Sequence, residues 1–268
     1  MTFDEYMKLE GSNWSTLRHM QKSPAHYLQN LLQKGKDTAA MKLGRAGHVA
    51  ILEPDKFMSY CVVWDGGTRR GKEWDAFKAA NEGREILTVD EHSTCMAMSA
   101  AVRSDAVASR YLTGGVAERV VQWTYGGHKC KGRLDFVADV GAIVDLKTTR
   151  DASPDAFGRQ VINNSLLGQA AFYVDGFKKE TGKLLPYVLV AVESDAPHVA
   201  QVYRLTDWQL DMGRNVYREC LQKLTECKRT NSWPGYASGE LELTLPRWAL
   251  PYEDEDISSV GLEFTETH

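Results

Sequence analysis

KGRLDFVADVGAIVDLKTT, residues 131–149, reads as two strands joined by a tight turn at 140–142. The first strand carries Asp135, and the second carries Asp145 and Lys147. Strand side chains alternate, so Asp145 and Lys147 share one face while Val144 and Leu146 share the other. Ile143, Val144 and Leu146 give the second strand the apolar, β-branched character of a core strand. Charges on such a strand are costly unless they pair with each other or with a bound ion. Two carboxylates and a lysine here therefore indicate either a buried ion-pair network or a metal site with a basic catalytic group.

The spacing resembles the D…(D/E)-x-K pattern of the PD-(D/E)XK nuclease superfamily, but three common residues in a loose arrangement also arise by chance. The rest of the chain carries the decision. With 268 residues it can bury a full core, most simply as one domain. Hydrophobic content of 43% and charged content of 25% are those of a globular protein. A net charge of -4 excludes a passive basic sheath for nucleic acid, so DNA contact has to come from local basic patches or metal ions. Cys61, Cys95, Cys130, Cys220 and Cys227 are odd in number, scattered and without a C-x-x-C pair. That pattern fits reduced thiols in the cytoplasm rather than disulfides or zinc. The first residues have no apolar core of a signal peptide, and no apolar run is long enough to cross a bilayer.

In chain order, residues 15–33 read as a helix capped by Ser15 and broken at Ser23-Pro24. Residues 38–52 read as a second helix, rich in small residues, stopped at Glu53-Pro54. His48 sits in its middle. Its ordinary reading is a hydrogen-bonded, partly buried histidine; its functional reading is a metal ligand carried over the sheet. After a strand at 60–64 comes a glycine-rich loop with Arg69, Arg70 and Lys72, either solvated or in contact with DNA phosphates. A helix at 72–81, a strand at 86–89 and a helix at 90–110 follow.

A strand at 117–125 begins near Glu118, beside the Asp135 strand. Helices at 153–162 and 166–181 follow the hairpin; on the second, Gln169 and Tyr173 are four apart and share a face. That face either packs on the sheet or binds a phosphate or water. Lys178 and Lys179 suit the end of that helix and need no other role. Strands at 185–192 and 199–205 and a long helix at 206–228 complete the core, ahead of an acidic tail. On that last helix Met212 is placed on the inward face.

Taken together, LGRAGHVAILEP, AERVVQW, CKGRLDF, VDLKTT, GQAAFYVDGF and the closing LTLPRWA resemble the exodeoxyribonuclease VIII (RecE-type) family of that superfamily. Order and spacing hold from the SPAHYL segment at Ser23 to Trp248, and six separate matches in order are far more specific than any one. The resemblance implies an α/β (mixed α+β) PD-(D/E)XK core, with a central mixed β-sheet flanked by helices. It implies one nuclease domain over 1–268: a mainly helical part, 1–115, a catalytic core, 116–232, and a tail, 233–268. His48, Asp135, Asp145 and the Leu146 carbonyl are implied to hold a divalent metal, Mg²⁺ with Mn²⁺ also accepted, with Glu118 as a second-metal or outer carboxylate. Lys147 is implied to orient or activate the attacking water, and Gln169 and Tyr173 to position the substrate strand or the lysine.

The implied activity is 5′ to 3′ digestion of linear duplex DNA from its ends, leaving a 3′ single strand for an annealing recombinase. A prophage setting and a ring-shaped homo-oligomer, a tetramer, are implied in the same way. Ser23 stands where some relatives carry a cluster-ligating cysteine, so no iron–sulfur cluster is expected. The alternatives are a non-catalytic DNA-end-binding module on the same fold, whose mark would be a broken Asp/Asp/Lys set, and an endonuclease of the superfamily.

Overall fold

A computed structural model of the chain describes residues 1–33, 37–237 and 239–246. It forms two compact units, Met1–Gly235 and Tyr236–His268. The described residues of the second form neither helix nor strand, and residues 247–268, which include Trp248 and the acidic tail, lie outside the described residues.

The first unit opens with α1 (Phe3–Lys8), α2 (Trp14–Leu17) and α3 (Pro24–Leu32), with a 3₁₀ turn at Arg18–Gln21. Next come α4 (Ala39–Leu52), α5 (Pro54–Tyr60), β1 (Cys61–Trp64), α6 (Lys72–Ala80), β2 (Glu85–Thr88), α7 (Val89–Ser104) and α8 (Ala106–Leu112). Then follow β3 (Gly115–Tyr125), β4 (His128–Ala138), β5 (Ala142–Thr149), α9 (Pro154–Asn163), α10 (Leu166–Thr181), β6 (Tyr187–Glu193), β7 (Ala200–Arg204) and α11 (Asp207–Thr230).

Among the described residues, β1 and β2 form a small parallel pair, and the main sheet has the order β3-β4-β5-β6-β7. Its pairs are antiparallel except β5 with β6. A parallel neighbour needs a long crossover, supplied here by α9 and α10. β6 is buried along nearly its whole length because helices cover both faces. On one face Ile143, Tyr187 and Leu189 pack with α10 and α11; on the other Val144, Leu146 and Val190 pack with residues of α4 and α7. The sheet is thus mixed and sandwiched between helices, as expected. Among the described residues, no helix is long and apolar enough to cross a membrane.

Several boundaries differ from the sequence reading, each for a local reason. Asn13, not Ser15, caps α2, its side chain accepting from the Thr16 N–H at 2.9 Å. Ser23 caps α3 with Pro24 in its first turn, so the chain does break there. Pro54 ends α4 and also starts α5, because the first turn of a helix needs no N–H from proline. The helix expected over 90–110 is split by Asp105, whose carboxylate accepts from the N–H groups of Val107 and Ala108. Met212, placed inward by the sequence reading, is exposed.

Lys131 fixes the N-terminal helix to the sheet. Buried on β4, its ammonium donates to the backbone oxygens of Tyr6 (3.0 Å), Met7 (3.2 Å) and Leu9 (2.7 Å) at the end of α1. The Tyr6 oxygen also accepts the Leu9 N–H at 3.2 Å, whereas those of Met7 and Leu9 are carbonyls that a helix end leaves without intrahelical partners. Lys131→Met keeps the aliphatic stem and strands those acceptors, so it is expected to cost about 2–4 kcal/mol in urea unfolding. Unfolding that is unchanged within about 0.5 kcal/mol would show that the contact contributes nothing net.

Candidate active site

The site forms where two strands part. β4 and β5 pair through Ala138↔Ala142, Val137↔Ile143 and Phe136↔Val144, and there the ladder ends. β5 continues beside β6 as far as Thr149↔Glu193. The next residue back along β4 is Asp135, whose Oδ2 accepts the Leu146 N–H at 3.0 Å. A side chain thus takes the place of a main-chain rung, satisfying a backbone donor while holding the strands apart.

Asp145 and Lys147 project from β5 toward α10. Asp145 is 2% exposed; its Oδ1 accepts from Gln169 Nε2 at 3.1 Å, and its Oδ2 forms an ion pair with Lys147 Nζ. From the other layer α4 brings His48, whose Nδ1 lies 3.8 Å from Asp135 Oδ2 and whose ring interacts with the Leu146 backbone. Small residues allow that approach: a Cβ on Gly44 would lie 3.3 Å from Thr148 Oγ1, and one on Gly47 2.9 Å from Met98 Cε.

Burial dominates the electrostatics. It pushes Asp145 up to about 6, opposed by Lys147 and reinforced by Asp135. For Lys147 burial alone would lower the pKa, but the carboxylates of Asp145 and Asp135 outweigh it and hold the ammonium above its ordinary value. Lys147 is therefore a standing positive charge at neutral pH. His48 is pushed down to about 4 by burial and by Lys147, which leaves the neutral imidazole that a metal requires.

The donors suit a hard divalent cation: two carboxylates, the Leu146 carbonyl and one neutral imidazole. Asp145 Oδ2 is buried and, although ion-paired with Lys147, has no well-directed hydrogen bond. Among the described residues, however, no group of three or more His, Cys, Asp or Glu side chains is already arranged as a ligand cluster. The chemistry fits; Asp145 faces Lys147 instead of closing a cage.

The remaining sequence candidates spread outward from this centre. Glu118 falls between the pairs Ala117↔Phe136 and Arg119↔Leu134, opposite Asp135, in a left-handed conformation with φ 55°. Its carboxylate is ion-paired with Arg133 Nε at 2.5 Å, and burial raises its pKa to about 7. Tyr173 is buried behind Gln169, its ring under β4, where a Cβ on Gly132 would come within 3.0 Å of Tyr173 Cδ1. Arg69 donates to Ile86 O at 3.0 Å and pairs with Glu91 at 3.1 Å, so it fastens its own loop. Arg70 and Lys72 are exposed.

Three nearby residues escaped the sequence reading. Arg18 acts electrostatically on Lys147 and donates to Asn164 O at 3.4 Å. Glu53 acts on Glu118. Tyr187 is fully buried with its hydroxyl interacting with Asp145. Only Tyr187 left a signal, as a phenol at the head of a strand that is aliphatic from Val188 to Val192.

A family model described as "PDDEXK-like domain of unknown function (DUF3799)" matches residues 13–244. Among solved structures, one described as a "Putative exonuclease" from Eubacterium rectale superposes with a TM-score of 0.63 at 15% identity, covering 91% of this chain and 96% of that one. At that identity it shows a shared fold. The structure of SSO0001 gives a TM-score of 0.29 at 14% identity, over 80% of this chain and 86% of that one. No curated protein matches the sequence.

Proposed function

Because the chain belongs to this PDDEXK-like family, whose match spans every residue of the strand fork, we propose that it is a metal-dependent exodeoxyribonuclease of the RecE type. Its substrate is the end of linear double-stranded DNA, digested 5′ to 3′ to leave a 3′ single strand for an annealing recombinase. The observation that carries this reading is the convergence of Asp135, Asp145 and Lys147, with His48 opposite, where β4 and β5 part. The fold shared with a protein described as a "Putative exonuclease" supports it, as do the six ordered motifs.

Asp135, Asp145, the Leu146 carbonyl and His48 would hold Mg²⁺, with Mn²⁺ also accepted, and Glu118 would serve as an outer carboxylate. When bound there, the cation would supply Lewis acidity and charge neutralisation at the scissile phosphate. Lys147 remains charged, so it orients the attacking water and offsets the negative charge that develops on the phosphoryl oxygens. Gln169 fixes Asp145, and Tyr173 supports Gln169 from behind. A homo-oligomeric ring in the cytoplasm, a tetramer, keeps a chain of net charge -4 on DNA by converging small basic patches on one channel.

A time course with Mg²⁺ on end-labelled linear duplex, beside a covalently closed circle, tests this. Loss of the 5′ label as small products with an intact circle is the expected result. A nicked circle would make the enzyme an endonuclease. Bound ends without hydrolysis in either metal would leave an end-binding module.

A further inference from the structure

A second concave site lies well away from the fork. A cavity of about 760 Å³ opens between the C-terminal half of α10, the residues entering β6 and leaving β7, and the first turns of α11. Its cationic lining is Lys178, Lys179, Arg204, Arg214 and Arg218, against two carboxylates, Asp175 and Asp207. A chain of net charge -4 has therefore gathered positive charge here.

The cations do not all have the same role. Arg214 is used internally: it donates to Asp175 at 2.9 and 3.1 Å and to Asp211 at 2.7 Å, and Asp175 also accepts from the Tyr217 hydroxyl at 2.7 Å. That network builds the floor. Lys178, Lys179, Arg204 and Arg218 are exposed around it. Leu184, Leu185 and Pro186 give the cavity an apolar wall, and Leu184 is 59% exposed. Trp208, next in sequence to the lining Asp207, is 67% exposed.

Cations around an apolar wall with an exposed aromatic nearby suit a ligand that is anionic on one side and flat and apolar on the other. We infer that this cavity binds nucleotide phosphates, with the bases against its apolar wall. The ten-residue step from Gln169 to Lys179 puts its far rim about 15 Å along α10 from the residue that holds the catalytic carboxylate, so it serves as a holding site rather than part of the chemistry. That the ligand is nucleic acid rests on the nuclease reading. That it is a phosphate-bearing anion rests on the cavity. Lys178 and Lys179, which in sequence needed no role beyond the helix end, belong to this rim.

The test is binding of a 5′-fluorescein-labelled dT20 oligonucleotide to the full chain in EDTA, where hydrolysis plays no part. The variants are Lys178→Glu/Lys179→Glu and Arg204→Glu/Arg218→Glu. Lys78→Glu/Arg110→Glu makes the same charge change at exposed positions outside the cavity. Each cavity pair is expected to weaken binding at least about tenfold and to flatten the log–log salt dependence by roughly 1.4, the effect of two phosphate contacts on a single strand. Thymidine 5′-monophosphate separates the two sources of that chemistry. If the mononucleotide also loses affinity in the cavity variants, the site takes the released product; if only the oligonucleotide does, it takes the strand.

Unchanged affinity and slope in both cavity pairs, or an equal loss in the control pair, would overturn the inference. The two proposals fail separately. A wild-type protein that never cuts DNA but loses binding on charge reversal removes the nuclease reading alone. Hydrolysis with unaltered binding in the variants removes the cavity alone.

Discussion

Asp145→Asn and Lys147→Met are each expected to lower turnover on linear duplex DNA by about a thousandfold or more, the range seen when a preorganised charge is removed from a reacting centre. Both residues belong to one buried pair, so the loss should not double when both are changed. Stability should behave differently. Asp145 is 2% exposed and Lys147 side-chain exposure is 19%, so removing one partner leaves a charge in a poor environment at a cost of about 3–5 kcal/mol. Replacing both should recover most of it, because an apolar or neutral pair there has no ion to solvate.

The pH dependence fixes the sign. Asp145 is already raised to about 6, chiefly by burial and against the lowering effect of Lys147. In Lys147→Met that opposing effect is gone and the folded-state pKa rises further above its unfolded value. The folded state then holds a proton that the unfolded state has released, so the variant gains stability as pH falls. Urea unfolding at pH 5 and pH 8 should show the smaller deficit at pH 5. Full hydrolysis by both single variants would end the assignment of roles to this pair.

Gly213→Ala is expected to destabilise the protein more than any other single methyl addition named here. In an open helix the change gains about 1 kcal/mol, since glycine is the poorer helix former. Gly158 in α9 is such a case, with nothing near its absent Cβ, and Gly158→Ala should stabilise by about that amount. At Gly213 on α11 the new carbon would collide with the Leu167 carbonyl oxygen, sit 2.6 Å from its carbon and 2.9 Å from Ala171 Cβ. The first obstacle is backbone of α10, which cannot swing aside as a side chain can. Overpacking costs about 1–3 kcal/mol even where side chains can adjust, so a net loss of roughly 3 kcal/mol is expected. For a chain of this size that lowers the melting temperature by roughly 6–12 °C. Leu167 is two residues before Gln169, so nuclease activity should fall as well. A melting temperature equal to wild type would mean that the two helices separate freely.

The parts of the fold most legible in sequence were those set by strong periodicity. β5 and its turn, α10 over Leu166–Thr181, and α11 with its Thr206 cap were all visible in the pattern. Less legible were breaks in which a single residue serves two elements, as Pro54 and Asp105 do. The face shared by Asp145 and Lys147 followed from alternation alone. That Asp135 would end a ladder by hydrogen bonding to Leu146 did not, because strand register is a long-range property. Arg18 and Glu53 reach the site by tertiary packing and carry no local mark.

The helix bearing His48 rests on the sheet through glycines, with Gly44 only a methyl's width from Thr148. The imidazole and the acidic pair are consequently carried by separate elements, α4 on one side and β4 and β5 on the other, that meet across one thin seam. A wedge in that seam, such as a valine at position 44, would tilt the helix and uncouple the imidazole from the carboxylates without touching any of them. On the proposed function, that seam is where metal capture would be lost with every ligand side chain left in place.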